Sequence, residues 1–194
     1  PRSTLFPYTT LFRSIALTFV ATFAFALMES TFQLVAEHAW AMTARDVGNL
    51  FGLIGGVGVI IQGGLIRRLV PRFGEARLVR AGYLLHILGM TTLAIATTRP
   101  QVWLGCAIMA TGGSLANPSL QSLLSRATPA DDQGRILGIN QSMGSLARAT
   151  GPLLGGLVFE RLWPQATLLT GAALMAAALL LSWPATRRAA QAIA

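Results

Sequence analysis

The sequence predicts an all-α membrane protein, a bundle of six transmembrane helices. Of its 194 residues, 53% are hydrophobic and 11% are charged, and the mean hydropathy is +0.58. Soluble domains carry roughly 25% charged residues. The shortage of charge therefore places most of the chain in lipid, or in a protein core that lipid surrounds.

Six apolar runs define the predicted helices, each close to the roughly 20 residues that cross a hydrocarbon core. They cover residues 15–36, 47–66, 78–96, 102–124, 136–159 and 166–183. Charged residues, glycine and proline separate them, which is typical of connecting loops. A membrane β-barrel would instead show alternating segments of about ten residues. We therefore predict a six-helix domain over residues 15–186, followed by a cytoplasmic tail at 187–194.

The N-terminal segment, residues 1–14, is set apart from this domain. The chain begins with Pro1 instead of Met, and its residues 4–14 resemble the translation of a sequencing adapter. A secretory signal would show a basic start, an apolar core and a small-residue cleavage site, and this segment lacks that pattern. We expect an artefactual segment that at most extends the first helix, preceding a fragment of a longer protein.

The distribution of arginine predicts the orientation. All fifteen basic residues are arginine and the net charge is +8, but they cluster between apolar runs, which argues against a nucleic-acid partner. Basic residues concentrate on the cytoplasmic side of membrane proteins. Nine of them lie in the second and fourth connections between the predicted helices and in the tail, against three in the first, third and fifth connections. The N-terminal and the C-terminal ends of the bundle are therefore both predicted to be cytoplasmic. The nine are Arg67, Arg68, Arg72, Arg77, Arg80, Arg126, Arg135, Arg187 and Arg188.

The sequence shows no arrangement expected of an enzyme. The single cysteine, Cys106, lies inside an apolar run, where it is expected to pack as a small side chain. We find no nucleophile with its base, no phosphate-binding loop and no metal-ligand spacing. We therefore predict no enzymatic activity, no cofactor and no metal, and we disfavour an ATP-driven pump.

Residues 63–77 resemble a cytoplasmic loop of the major facilitator superfamily. The loop of its C-terminal half repeats, in degenerate form, the motif Gly-x-Leu-x-Asp-Arg-x-Gly-Arg-Arg. Arg67 stands where that motif has an acidic residue, and the basic side chains are expected to pair with Glu75 and with helix carbonyls. The matching positions are Gly64, Arg67, Arg68, Arg72, Gly74, Glu75 and Arg77.

Two further segments resemble the same superfamily. Residues 151–156 are similar to the Gly-Pro-x-x-Gly-Gly signature of drug:proton antiporters, and residues 117–123 are similar to the fourth helix of the second half in tetracycline and multidrug transporters. Pro152 removes a backbone donor, so Gly151, Pro152, Gly155 and Gly156 are expected to form a kink. The resemblance implies the C-terminal half of the fold, with substrate held between two halves near the bilayer midplane.

Polar side chains within the apolar runs are the candidates for the substrate pathway. Glu29 and Arg148 have matching depths, and an ionised group at the bilayer centre costs about 2.5–3.5 kcal/mol, so we predict that they form an ion pair. The alternative places Glu29 near the outer interface and Arg148 against a water-filled cavity. The candidates are Glu29, Gln33, Asn117, Gln121, Gln141 and Arg148.

Other groups in the spans have structural explanations. The neutral polar side chains, which also include Gln62 and Asn140, could instead form hydrogen bonds between packed helices. His38 and His86 are isolated, and no proton relay is assigned to them. Interior glycines predict close helix packing in the second and fifth spans. They are Gly52, Gly55, Gly56, Gly58, Gly63 and Gly64, then Gly151, Gly155 and Gly156.

Together these observations predict part of a secondary transporter that exports small organic solutes or drugs by antiport with protons. Its expected partners are the solute, protons, the lipid bilayer and a missing N-terminal six-helix half, and its expected location is a bacterial plasma (inner) membrane. Two alternatives stay open. One is a metabolite or sugar permease of the same superfamily, which acidic residues of the missing half would discriminate; the other is a self-contained six-helix membrane scaffold or intramembrane enzyme.

Overall fold

A computed structural model describes the backbone of residues 5–193 and the side chains of residues 11–183. A π-helical segment, Ile61–Leu65, joins α2 (Ala44–Ile60) to α3 (Ile66–Phe73), and a 3-10 turn, Ala130–Asp132, precedes α6 (Gln133–Arg161). Because α2, this segment and α3 run on without a break, the described chain forms six helical rods. The predicted all-α bundle is confirmed. The helices are α1 (Leu5–Trp40), α2 (Ala44–Ile60), α3 (Ile66–Phe73), α4 (Glu75–Ala94), α5 (Arg99–Ala127), α6 (Gln133–Arg161) and α7 (Ala166–Ile193).

Three of the helical stretches are long and apolar enough to cross a membrane by length and composition. They are Leu11–Trp40, Ala44–Phe73 and Ala166–Trp183. The other three rods, α4, α5 and α6, contain 20, 29 and 29 residues, and a helix rises about 1.5 Å per residue. They therefore have sufficient length to cross a membrane.

The helices pack as two close pairs, α4 with α5 and α1 with α6, while α7 contacts both α4 and α1, and α2 rests on α5. One apolar cluster surrounds Phe32, Met90 and Leu168. A second surrounds Leu17 and Tyr83. Helices α2 and α6 each lie at an open edge of this arrangement, so most of their side chains are exposed.

Glycine allows α4 and α5 to touch through their backbones. A Cβ atom at Gly112 would lie 2.5 Å from the carbonyl oxygen of Gly82, and one at Gly89 would lie 2.6 Å from the amide nitrogen of Met109. Neither position has room for a side chain.

The glycine predictions hold for α6 but not for α2. A Cβ at Gly155 would lie 2.6 Å from the carbonyl oxygen of Leu27, and one at Gly151 would lie 2.8 Å from the Cβ of Ala26. On α2, Gly58 alone has a neighbour, the Ser114 hydroxyl at 3.7 Å. The prediction of close packing is therefore wrong for most of the α2 stretch within this chain, because α2 packs on α5 through a different face. Of the glycines predicted to pack closely, those with no neighbour within 4 Å are Gly52, Gly55, Gly56, Gly63, Gly64 and, on α6, Gly156.

Side-chain bonds tie the loops together at one end of the bundle. Trp40 Nε1 donates to the carbonyl oxygen of Ala96 at 3.0 Å, and Arg99 Nη2 donates to that of Ala41 at 3.2 Å. The loop between α1 and α2 thus meets the loop between α4 and α5. This is expected, because successive membrane-spanning helices place alternate loops on the same side of the bundle. At the other end, Arg126 in the last turn of α5 contacts Glu75 in the first turn of α4, next to the arginine-rich connection.

The two terminal segments are only partly described. Helix α1 continues back to Leu5, and Leu11 and Ser14 are 5% and 6% exposed. These two side chains of the predicted artefactual segment are therefore packed more closely than we expected, although Phe12 is 73% exposed. Residues 1–4 and the side chains of 5–10 lie outside the described residues. The predicted tail continues α7 to Ile193, and its side chains also lie outside the described residues.

Candidate binding cavity

A cavity of about 400 Å³ opens between the helices, at a size within the range of about 300–1,000 Å³ typical of small-molecule sites. Helix α1, the π-helical segment and helices α4, α5 and α6 all contribute polar side chains. Apolar groups such as Phe25, Met109 and Leu120 complete the wall. The wall thus combines apolar surface with many polar side chains, and polar groups at fixed positions can orient a bound organic ligand.

Five of the six predicted pathway residues line this cavity: Glu29, Asn117, Gln121, Gln141 and Arg148. Gln62 and Asn140 also line it. The sixth candidate, Gln33, does not. It is half-buried one turn beyond Glu29, which is the last α1 residue in the lining.

Helix periodicity explains the contribution of α5. Ser114, Asn117 and Gln121 follow one another at intervals of three and four residues, so they share a helix face. Pro118 has no amide hydrogen to offer the carbonyl of Ser114 four residues earlier, and Pro152 on α6 has none for the carbonyl of Arg148. Both prolines thus remove a helical hydrogen bond from a residue of the cavity wall.

The predicted ion pair between Glu29 and Arg148 is absent. Among residues 11–183 the ion pairs are Arg99–Asp46 and Arg126–Glu75. Arg148 Nη2 instead donates to the Ser145 hydroxyl at 3.3 Å. Both Glu29 and Arg148 are exposed, so each charge can be hydrated in the cavity and does not require the other as a partner.

Tyr83 and His86 are cavity residues that the sequence analysis missed. They are 2% and 5% exposed and lie three residues apart on one face of α4, which is the signal that could have identified them. The His86 ring packs edge-on against Phe25, with the centroids 5.9 Å apart. Among the described residues, Tyr83 Oη, His86 Nε2 and Asn140 Oδ1 have no protein partner. The wall therefore contains unused hydrogen-bonding capacity.

The loop motif forms a different ion pair from the expected one. Glu75 is 7% exposed and accepts a hydrogen bond from the Ser122 hydroxyl at 2.6 Å, and Arg126 Nε lies 3.4 Å from the same oxygen. The expected pairing of Glu75 with the loop arginines is wrong, because Glu75 turns inward onto α5 while those side chains stay exposed. Gly74, with a φ of 77°, makes the turn between α3 and α4.

Replacing Ser122 by alanine should lower the free energy of unfolding by about 1.5–3 kcal/mol, the range for hydrogen bonds to charged groups. The substitution leaves the buried Glu75 carboxylate with Arg126 alone. Thermal unfolding of the purified chain in detergent, followed by circular dichroism, measures the change. Ser142, whose hydroxyl bonds to Gly138 on an exposed face, is the matched control, and S142A should change the free energy by less than about 0.5 kcal/mol. Equal unfolding midpoints for the two variants would contradict the prediction.

Comparison with known proteins now assigns the family. Residues 8–193 match the Major Facilitator Superfamily. The chain belongs to this superfamily. Its members are transporters and not enzymes, which agrees with the expectation from the sequence.

Individual relatives support the assignment. Multidrug resistance protein 2 of Bacillus subtilis is 28% identical over 77% of this chain, which covers 37% of that relative. The class C tetracycline resistance protein of Escherichia coli is 30% identical over 81% of this chain, which covers 39% of it. The crystal structure of the human organic anion transporter MFSD10 matches with a TM-score of 0.82 and 27% identity, over 90% of this chain and 41% of that one. The chain thus spans about two-fifths of the length of these proteins.

Proposed function

We propose that this chain forms one half of a secondary transporter that binds small organic solutes in the cavity and carries them across a membrane. The observation that supports the proposal most strongly is the cavity of about 400 Å³ with polar groups from five helical segments. Members of this superfamily are transporters and not enzymes. The function of the cavity is therefore to bind and release a solute as the two halves rock around a central site.

The direction that we propose is export in exchange for protons. Relatives of this chain are named as multidrug and tetracycline resistance proteins, and the antiporter-like sequence at residues 151–156 is a feature of α6. Glu29 supplies the cavity wall with a carboxylate. The two bacterial relatives support a location in a bacterial inner membrane. The arginine distribution supports an orientation in which the N-terminal and the C-terminal ends of the bundle are both cytoplasmic.

An organic-anion carrier is the second candidate. Arg148 is exposed in the cavity and forms no ion pair in the described chain, so its guanidinium is available to bind an anion. The structurally similar human protein is described as an organic anion transporter. Solute charge therefore separates the two candidates.

The open edges of the bundle support a second half as partner. On α2, Val59 and Ile60 are 73% and 70% exposed, and on α6, Leu153 is 75% exposed. Both helices border the cavity. We propose that a second six-helix half covers these faces and closes the other side of the site.

Inside-out vesicles containing a transporter that carries this chain as its second half provide the test. Adding tetracycline to energised vesicles should release protons from the lumen, because the drug enters in exchange for them. The fluorescence of a trapped pH-sensitive dye records this release. A protonophore should abolish drug accumulation.

Two controls separate the alternatives. Vesicles with the 194-residue chain alone should show no drug-dependent proton flux, and saturable flux there would overturn the proposal of a half-transporter. Drug or organic-anion movement that a protonophore leaves unchanged would contradict proton coupling and favour the permease.

A further inference from the structure

A second, smaller cavity adjoins the main one, and its role in solute binding rests on the proposed transport function. It measures about 80 Å³. The two cavities share Phe25, Glu29, Ile54 and Met109 in their walls. A group bound in this side pocket therefore lies next to a group bound in the main cavity.

The side pocket is apolar except for one carboxylate. Three rings (Phe25, Phe32 and Phe51) surround it, and the Phe32 and Phe51 rings meet edge-on at 6.0 Å. The thioethers of Met28 and Met109 add polarisable, adaptable walls. Aromatic faces attract cations through their quadrupole. Rings and thioethers around a carboxylate therefore favour an alkyl group on a positively charged nitrogen.

The opposite charge lines the main cavity but not the side pocket. Among the described lining residues, Glu29 is the one carboxylate and Arg148 the one guanidinium, and neither belongs to an ion pair in the described chain. A guanidinium presents a fork of N–H donors that suits a carboxylate or another oxyanion. The cavity thus has two separate positions for two opposite charges.

We propose that the site selects zwitterionic solutes whose cationic nitrogen carries a small branched alkyl group. The alkyl group fills the side pocket, the ammonium contacts the Glu29 carboxylate and the anionic group contacts the Arg148 guanidinium. Size limits the apolar part, because an engineered cavity that binds benzene measures about 150 Å³. A pocket of about 80 Å³ suits a group of three or four carbons.

Calorimetric titration of the purified transporter that carries this chain as its second half, in detergent, tests this proposal with three matched probes. N-isobutyl-6-aminohexanoic acid carries the alkyl group and both charges, and its flexible linker lets the carboxylate reach Arg148. N-isobutylhexylamine lacks the carboxylate, and 6-isobutoxyhexanoic acid lacks the ammonium. The zwitterion should bind at least about tenfold more tightly than either analogue, which corresponds to about 1.4 kcal/mol.

Substitutions assign each charge to its side chain. In E29Q the zwitterion should bind as weakly as 6-isobutoxyhexanoic acid does, and in R148Q as weakly as N-isobutylhexylamine does. E37Q on α1 and R135Q on α6 alter exposed charges outside the cavity and should leave the affinity unchanged. I54F should narrow the side pocket and lower the affinity for the isobutyl zwitterion at least about fivefold. The affinity for the analogue with N-methyl in place of N-isobutyl should stay the same.

The outcomes separate this proposal from the proposed function. Equal affinity for all three probes, no measurable binding of any, or unchanged binding in E29Q and R148Q would overturn the zwitterion site. Tetracycline-driven proton release in the vesicle assay, combined with any of these results, would retain the transporter and reject the selectivity. Absence of vesicle flux together with zwitterion binding that depends on both charges would support the site and reject the transport proposal.

Discussion

Alanine at Gly112 is expected to separate α4 from α5 and to lower the free energy of unfolding by about 3 kcal/mol, the upper part of the usual range for overpacking. The added Cβ would lie 2.5 Å from the carbonyl oxygen of Gly82 and 2.6 Å from the amide nitrogen of His86. Both atoms belong to the backbone, so no change of rotamer relieves the clash. The helices must move apart along their closest crossing, which also displaces His86 and Tyr83 from the cavity wall.

The next residue provides the control. A Cβ at Gly113 would lie 3.6 Å from the His86 ring, which is an ordinary van der Waals contact, and alanine favours the helix over glycine by about 1 kcal/mol. G113A should therefore unfold at or above the midpoint of the parent chain. Circular dichroism of both variants in the same detergent measures the difference. Equal midpoints for G112A and G113A would show that the helices do not cross this closely.

Much of the fold could be predicted because lipid imposes strong rules on a sequence. A spanning helix must satisfy its backbone internally and be apolar over about 20 residues, so the helices were visible as runs. The π-helical segment Ile61–Leu65 was not. The place where the helix adopts π geometry depends on how α2 packs in the bundle. The Gln62-Gly63-Gly64 sequence is equally compatible with a regular turn of α-helix.

Some cavity residues could likewise be predicted from the sequence, and others could not. Polar side chains such as Asn117, Gln121 and Arg148 stood out because they are costly in lipid, which indicates a wet or partnered environment. His86 did not stand out, since one histidine in an apolar run does not show which face of α4 turns inward. Likewise, which glycines meet a backbone depends on where two helices cross, and this is a property of the assembled bundle.

Electrostatic pairing was the least predictable feature. Glu75 and Arg126 are 51 positions apart in sequence, and only the α4–α5 packing brings them together. Glu29 and Arg148 showed the opposite error. Their matching depth suggested an ion pair. A prediction from depth alone takes no account of the water that can hydrate each charge in an exposed cavity.

Exchanging the charges of Glu29 and Arg148 is therefore expected to abolish transport without rescue. In the vesicle assay, R148Q should reduce drug-dependent flux by roughly 30-fold, because losing one partner of a hydrogen-bonded charge pair costs about 2 kcal/mol or more and about 1.4 kcal/mol is a factor of ten. E29Q should remove the proton-coupled part of the flux. The double variant E29R/R148E should be no more active than either single variant.

The absence of rescue depends on the two charges acting on different ligand groups. In a direct ion pair of about 4 Å, an exchange would preserve the attraction and restore part of the activity. Here the exchange instead reverses the polarity that the cavity presents to the solute, placing a guanidinium beside the apolar side pocket and a carboxylate beside Ser145. E37Q and R135Q, which change exposed charges on the same two helices, should retain parental flux. Activity in the double variant clearly above both single variants would show that Glu29 and Arg148 pair in another state of the transport cycle.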